Sequence, residues 1–141
     1  MSDLPQKILV CTDLTPESEG TVRYATKLVK KLGAQMILLY VVPEFFTEAD
    51  LMELSIPGGK EEVFSRLKAK AEKGMKEFAS KFCQGSSCAS MVVTGVPPVE
   101  ITKVAQQEGV DLIVMGCHTR TGLGLVDRTI ARANCPVLVV K

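Results

Sequence analysis

With 141 residues, 17 lysines and arginines against 16 aspartates and glutamates, and 46% hydrophobic residues without a tryptophan, the chain suits one domain, 1–141, able to bury an ordinary core. The near-neutral balance excludes a nucleic-acid partner held by bulk charge. No stretch reaches the roughly 20 apolar residues that span a bilayer, and the N-terminal apolar run is too short for a signal peptide, so no membrane partner is expected and the location is expected to be cytoplasmic.

KILVCTD, 7–13, predicts a first strand. Thr15 as N-cap, Pro16 as first helical residue and Glu17 near the positive helix end predict that a helix follows. Its Val22, Ala25, Leu28, Val29 and Leu32 recur at helical spacing until Gly33, a fitting C-terminal glycine. AQMILLYVV, 34–42, predicts the second strand. Residues 43–59 lose periodicity yet keep Phe45, Phe46, Leu51, Met52, Leu54 and Ile56, which suits a lid over a crevice, a protein-binding patch or a cover for the sheet edge. Val63, Leu67, Ala71, Met75, Phe78 and Phe82 mark the buried face of a long helix over 60–82, with Gly74 a mild internal cost.

ASMVVTG, 89–95, predicts a third strand, and Pro97 and Pro98 open a third helix through Ile101, Val104 and Ala105, closed by Gly109. DLIVMG is the fourth strand. Leu123, Val126, Ile130 and Ala133 share one face of a short fourth helix, and Pro136 begins the fifth strand, PVLVVK. Unbroken apolar strands alternating with helices predict an α/β class, doubly wound, with a mostly parallel sheet covered on both faces.

Such a sheet places its crevice at the carboxyl ends of the strands. The candidate positions are Cys11, Thr12 and Asp13, then Val41 and Val42, then Thr94 and Gly95, then Gly116 onward. A flavodoxin-type loop would need a glycine within CTDLTPES, a Rossmann site needs G-x-G-x-x-G, and a Walker A loop is missing. A receiver-type aspartate is absent where the third strand ends in Thr94 and Gly95. Asp13 facing the loop after Gly116 remains.

KILVCTDLTPES, LGAQMILLYVV, the stretch from Gly95 through Pro97 and Ile101 to Ala105, DLIVMG, CHTRTGL and ANCPVLVV occur in this order over essentially the whole chain. In these motifs the chain resembles the universal stress protein family. The resemblance implies a five-stranded parallel sheet of order 3-2-1-4-5 with four helices, of the adenine nucleotide alpha hydrolase-like type. It further implies a stress-response regulator or protective factor without catalysis.

Members of that family differ in whether they bind ATP. Binders resemble one another in a pattern after the fourth strand: Gly, two residues, Gly, nine residues, then Gly before Ser or Thr. Here Gly116 matches the first glycine, the second falls on Thr119, and the strict spacing puts the third on Thr129. Loop amides converge on phosphates through positive-φ conformations, which cost a β-branched threonine about 1–2 kcal/mol.

Aligned back from Cys135 and Pro136, the third glycine instead meets Leu123, with six residues between it and Gly116. Gly124 next door could restore part of the turn, with Leu125 in place of the hydroxyl residue. The resemblance therefore implies weakened or lost ATP binding. Asp13 and Val41 match positions that in binders face adenine and ribose, and Met115 and Gly116 match the end of the fourth strand. Thr119, Arg120 and Thr121 could still hold one phosphate or another small anion near the last helix. The alternative is an adenine-nucleotide-binding module in which Arg120 and Gly124 compensate for the shortened loop.

Several of these residues have plainer roles open to them. Asp13 could cap the turn after the first strand. His118, the single histidine, has no nucleophile and orienting acid beside it in the motif. Cys11 and Cys117, with His118 and Asp13, could form a metal or thiol site, although free cysteine is commonly a small buried apolar residue. Five cysteines without a C-x-x-C spacing fit a compartment that keeps thiols free; Cys83 and Cys88 bracket a turn and could bridge if oxidised. The fifth strand, apolar in Val137, Leu138, Val139 and Val140, would be a flat edge that invites pairing. The resemblance agrees, implying a homodimer through this strand.

Overall fold

A computed structural model describes residues 4–43, 59–85, 87–117 and 124–141. The strands are β1 (Lys7–Cys11), β2 (Gln35–Pro43), β3 (Cys88–Gly95), β4 (Leu112–Gly116) and β5 (Val137–Val140). The helices among the described residues are α1 (Pro16–Leu32), α2 (Gly59–Phe82), α3 (Pro97–Gln107) and α4 (Leu125–Arg132). All the strand pairs are parallel, in the order β3-β2-β1-β4-β5. None of the described helices is long and apolar enough to cross a membrane.

The alternation of side chains along each strand divides the interior into two cores. Ile8 and Val10 of β1, Leu38 of β2 and Val114 of β4 meet Val22 and Ala25 of α1 and Met75 and Phe78 of α2. Leu9, Leu39, Ile113 and Met115 point the other way, onto Ile101 and Val104 of α3 and Leu125 of α4. Each such side chain, taken fully out of water, contributes about 1.5–3 kcal/mol. Central β1 and β4 are accordingly buried except at Lys7, Cys11 and Gly116, whereas edge strand β3 exposes Ala89 and Ser90 and β5 is half-buried throughout. Full cover on both faces thus holds for the centre of the sheet and fails at its margins.

Gly33 ends α1 with φ 64, donating its N–H back to the last turn. Thr15 occupies the N-cap position, but its hydroxyl caps no helical N–H; it donates instead to Asp13 Oδ1. Gly74 does more than weaken α2, because a Cβ there would stand 3.3 Å from Leu14 Cδ1. The buried face of α4 departs from the expected one at one position: Val126 and Ala133 pack against the core, but Leu125 and Thr129 are buried while Ile130 is 51% exposed. Thr129 can face the core because its hydroxyl donates to the Leu125 carbonyl at 2.7 Å.

The expectation that all thiols stay free fails at one pair, since Cys83 and Cys88 are joined in a disulfide. The end of α2 and the start of β3 bring their Cα atoms to 5.3 Å, inside the range a disulfide spans. Phe45, Phe46 and the other apolar residues through Ile56 lie outside the described residues.

Candidate functional site

β1 and β4 are neighbours, but the helices that follow them leave for opposite faces, α1 toward one core and α4 toward the other. A crevice opens where they part. A cavity of about 330 Å³ occupies it, and Asp13, Tyr40, Val41, Ile101, Gly116 and Leu125 are among the residues of its wall.

The turn after β1 is fixed by its own hydroxyls and carboxylate. Thr12, 7% exposed, donates its N–H to the Leu39 carbonyl at 2.9 Å, and its Oγ1 accepts from Leu14 N–H at 3.0 Å. Thr12 Oγ1 also shares a hydrogen bond of 2.7 Å with Ser18 Oγ. Asp13 Oδ1 accepts from Thr15 N–H at 3.0 Å as well as from the Thr15 hydroxyl, an Asx-turn. Leu14 is thereby held at φ 63, the one non-glycine residue with positive φ among those described. A bulky side chain rarely adopts that conformation. Asp13 therefore both caps the turn and presents its carboxylate at the cavity.

Tyr40 closes the same cavity one residue before Val41. Burial, and secondarily the charge of Asp13, push its phenol above the ordinary value. The remaining wall is largely apolar, with Leu39, Val41, Pro97 and Ile101 on the α3 side, and its charged groups include Asp13, Glu17 and Lys141. Among the described residues, such a wall suits a flat, mostly apolar ring with a few polar atoms.

Ser18 and Cys11, both in the cavity wall, are not activated as nucleophiles. Ser18 Oγ donates to the Thr15 carbonyl at 2.9 Å, and burial pushes the Cys11 thiol up to about 12, so it stays protonated at neutral pH. No group of three or more His, Cys, Asp or Glu side chains among the described residues is placed to hold a metal.

Of the residues matched from sequence, Asp13, Val41 and Gly116 meet at the cavity. Met115 is fully buried in the core with Leu9 and Ile113 and is not part of the cavity wall. Gly116 is pressed against α1, since a Cβ on it would stand 2.6 Å from Thr21 Oγ1. Gly124 holds φ 91 at the start of α4, where its carbonyl accepts from Arg128 N–H at 2.8 Å. Thr119 and Arg120, with His118, Thr121 and Leu123, lie outside the described residues. Val137, Leu138, Val139 and Val140 form β5, whose partner on the sheet side is β4. Tyr40, Pro97 and Ile101 were not singled out as site residues from sequence; their signal was position, each lying beside a strand's carboxyl end.

Residues 5–141 match the model of the universal stress protein family. The chain belongs to that family. It is 29% identical to Universal stress protein MJ0577 of Methanocaldococcus jannaschii, over 100% of this chain and 98% of that protein. It is 31% identical to Universal stress protein MJ0531 of the same organism, over 99% of this chain and 84% of that one. The solved structure of MJ0577 superposes with a TM-score of 0.77 at 29% identity, covering 96% of this universal stress protein and 95% of that chain.

Two more distant structures share the fold. A universal stress protein in complex with cAMP aligns at TM-score 0.62 and 17% identity, over 97% of each chain. One from Archaeoglobus fulgidus in complex with dAMP aligns at 0.59 and 20%, over 96% of this chain and 98% of that one.

Proposed function

We propose that this universal stress protein is a single-domain, non-catalytic, homodimeric regulator or protective factor of the cytoplasm, whose crevice takes the nucleoside end of an adenine nucleotide with a weakened grip on its phosphates. The observation that carries the reading is the cavity of about 330 Å³ walled by Asp13, Tyr40 and Val41 together with apolar Leu39 and Ile101. A base and ribose fit such a wall. The cAMP and dAMP held by two fold neighbours support the ligand class. The weakened phosphate grip rests on the threonine-bearing loop and its six residues between Gly116 and Leu123.

One observation favours a second reading, a full ATP-binding module. Gly124 already holds the left-handed conformation, φ 91, that a phosphate-wrapping turn requires at the start of a helix. Calorimetric titration with adenosine, AMP and ATP separates the two. Under the first reading ATP binds no more tightly than AMP, and Asp13→Ala weakens both by about tenfold or more, roughly 1.4 kcal/mol. ATP binding tenfold tighter than AMP would establish the second, and an Asp13→Ala protein with unchanged affinity would refute the placement of the base.

A further inference from the structure

We propose that Cys83 and Cys88 form a reversible dithiol–disulfide site, oxidised by a small-molecule disulfide of the glutathione class, whose closed form locks the start of edge strand β3. The site lies away from the crevice, at the opposite end of the sheet, and does not depend on what the crevice binds. α2 ends at Phe82 and β3 begins at Cys88, so the bond, with a sequence separation of 5, ties a helix directly to the strand that follows.

Both cysteines are half-buried against the core beneath α1 and α2, which holds the two sulfurs on the same side of the turn. Around them Gln84, Gly85, Ser87, Ala89 and Ser90 are exposed, leaving the pair open to a small reagent from solvent. The remaining cysteines, Cys11, Cys117 and Cys135, are free.

The staple reaches into the sheet. Met36 N–H donates to the Ser87 carbonyl at 2.8 Å, and Met36 is the ladder partner of Cys88. On the helical side Cys83 N–H donates to the Ala79 carbonyl at 2.7 Å, and Gln84 Nε2 to the Ser80 carbonyl at 3.0 Å. Closing the loop therefore fixes the last turn of α2 and the first rung of β3 together. β3 is a sheet margin exposed at Ala89 and Ser90, so a frayed start would present unpaired backbone to other chains.

In the exchange, Cys88 loses its proton to solvent and its thiolate attacks one sulfur of the small disulfide, expelling one thiolate. Cys83 follows Cys88 because it lies at the negative end of α2, which disfavours its thiolate. Once deprotonated it attacks Cys88 Sγ in the mixed disulfide and expels the second small thiolate. Two protein thiols lose two electrons and two protons, and the small disulfide becomes two thiols.

The test equilibrates the intact protein with oxidised glutathione, quenches in acid, alkylates in denaturant and maps the peptide that spans 83–88. The expected peptide carries no alkyl group and no glutathione and is lighter by two hydrogens than the dithiol. Reduction should then lower the thermal midpoint of the wild-type protein by about 5–8 °C, and leave a Cys83→Ser, Cys88→Ser double variant unmoved. Alkylation of both cysteines after oxidation, or glutathione retained on either, would overturn the proposal. So would an equal shift in wild type and double variant. If the double variant does not fold, the peptide map of the wild-type chain decides alone.

Discussion

At Gly116 a methyl group would stand 2.6 Å from Thr21 Oγ1, and Thr21 is itself 7% exposed, so this position is closed to larger residues by packing. Gly116→Ala should cost about 1–3 kcal/mol in urea unfolding, and adding Thr21→Ala should recover part of that loss. If the single variant is as stable as wild type, the close approach of α1 to β4 is wrong. Cys11 offers a second measurement at this scale. Burial moves its thiol from 9.0 to about 12, so between these pH values the unfolded chain binds fewer protons than the folded one. The contribution is complete below about pH 9 and is lost as pH rises toward 12, at up to about 1.4 kcal/mol per pH unit. The stability difference between wild type and Cys11→Ala should accordingly shrink between about pH 9 and pH 10.5, and a constant difference would place the thiol in contact with water. Asp13, read from the sequence as either a turn cap or a ligand contact, does the first through Thr15 and reaches the cavity where it could do the second.

Among the elements, strands and helices were legible because their signals are long and redundant. Pro16 and Gly33 frame α1 as their fixed φ and positive φ require, and the buried residues Val63, Ala71, Met75 and Phe78 of α2 recur at helical spacing. On α4, Val126 and Ala133 pack on the core as their spacing predicts, but apolar periodicity cannot see a buried threonine. Thr129 is fully buried with its hydroxyl turned back onto Leu125, while apolar Ile130 faces outward. Thr129→Val should thus be tolerated within about 1 kcal/mol, whereas Leu125→Ala should cost about 2–4 kcal/mol, measured by chemical denaturation. The site was legible only in part for a related reason. Asp13 and Gly116 sit inside sequence motifs, but Tyr40, Pro97 and Ile101 join them because the fold brings the ends of β2 and β3 beside those of β1 and β4, which no local spacing encodes. The start of β1 rests on another such distant contact: Asp111 Oδ2 accepts from Gln6 and Lys7 N–H at 2.9 and 3.0 Å. Asp111→Ala should lower stability by about 1 kcal/mol, and an unchanged unfolding midpoint would mean that water replaces the carboxylate at no cost.

For the molecule as a whole, the strand order leaves two margins that are treated differently. β3 begins at the Cys83–Cys88 bond, while β5 ends the sheet with four half-buried aliphatic residues, Val137 to Val140. Pairing of β5 with a second copy would cover that margin, so light scattering should return about twice the chain mass of 15.3 kDa across a concentration series. A single-chain mass at the highest concentration would count against the homodimer. The contact between Leu14 and Gly74 has a further reach. Leu14, locked at φ 63, follows Asp13 directly and rests on the middle of α2, a helix of 24 residues, where a methyl group would come within 3.3 Å of it. A bulkier residue at position 74 would therefore press on the side chain that directly follows Asp13, joining the middle of α2 to the turn at the mouth of the cavity.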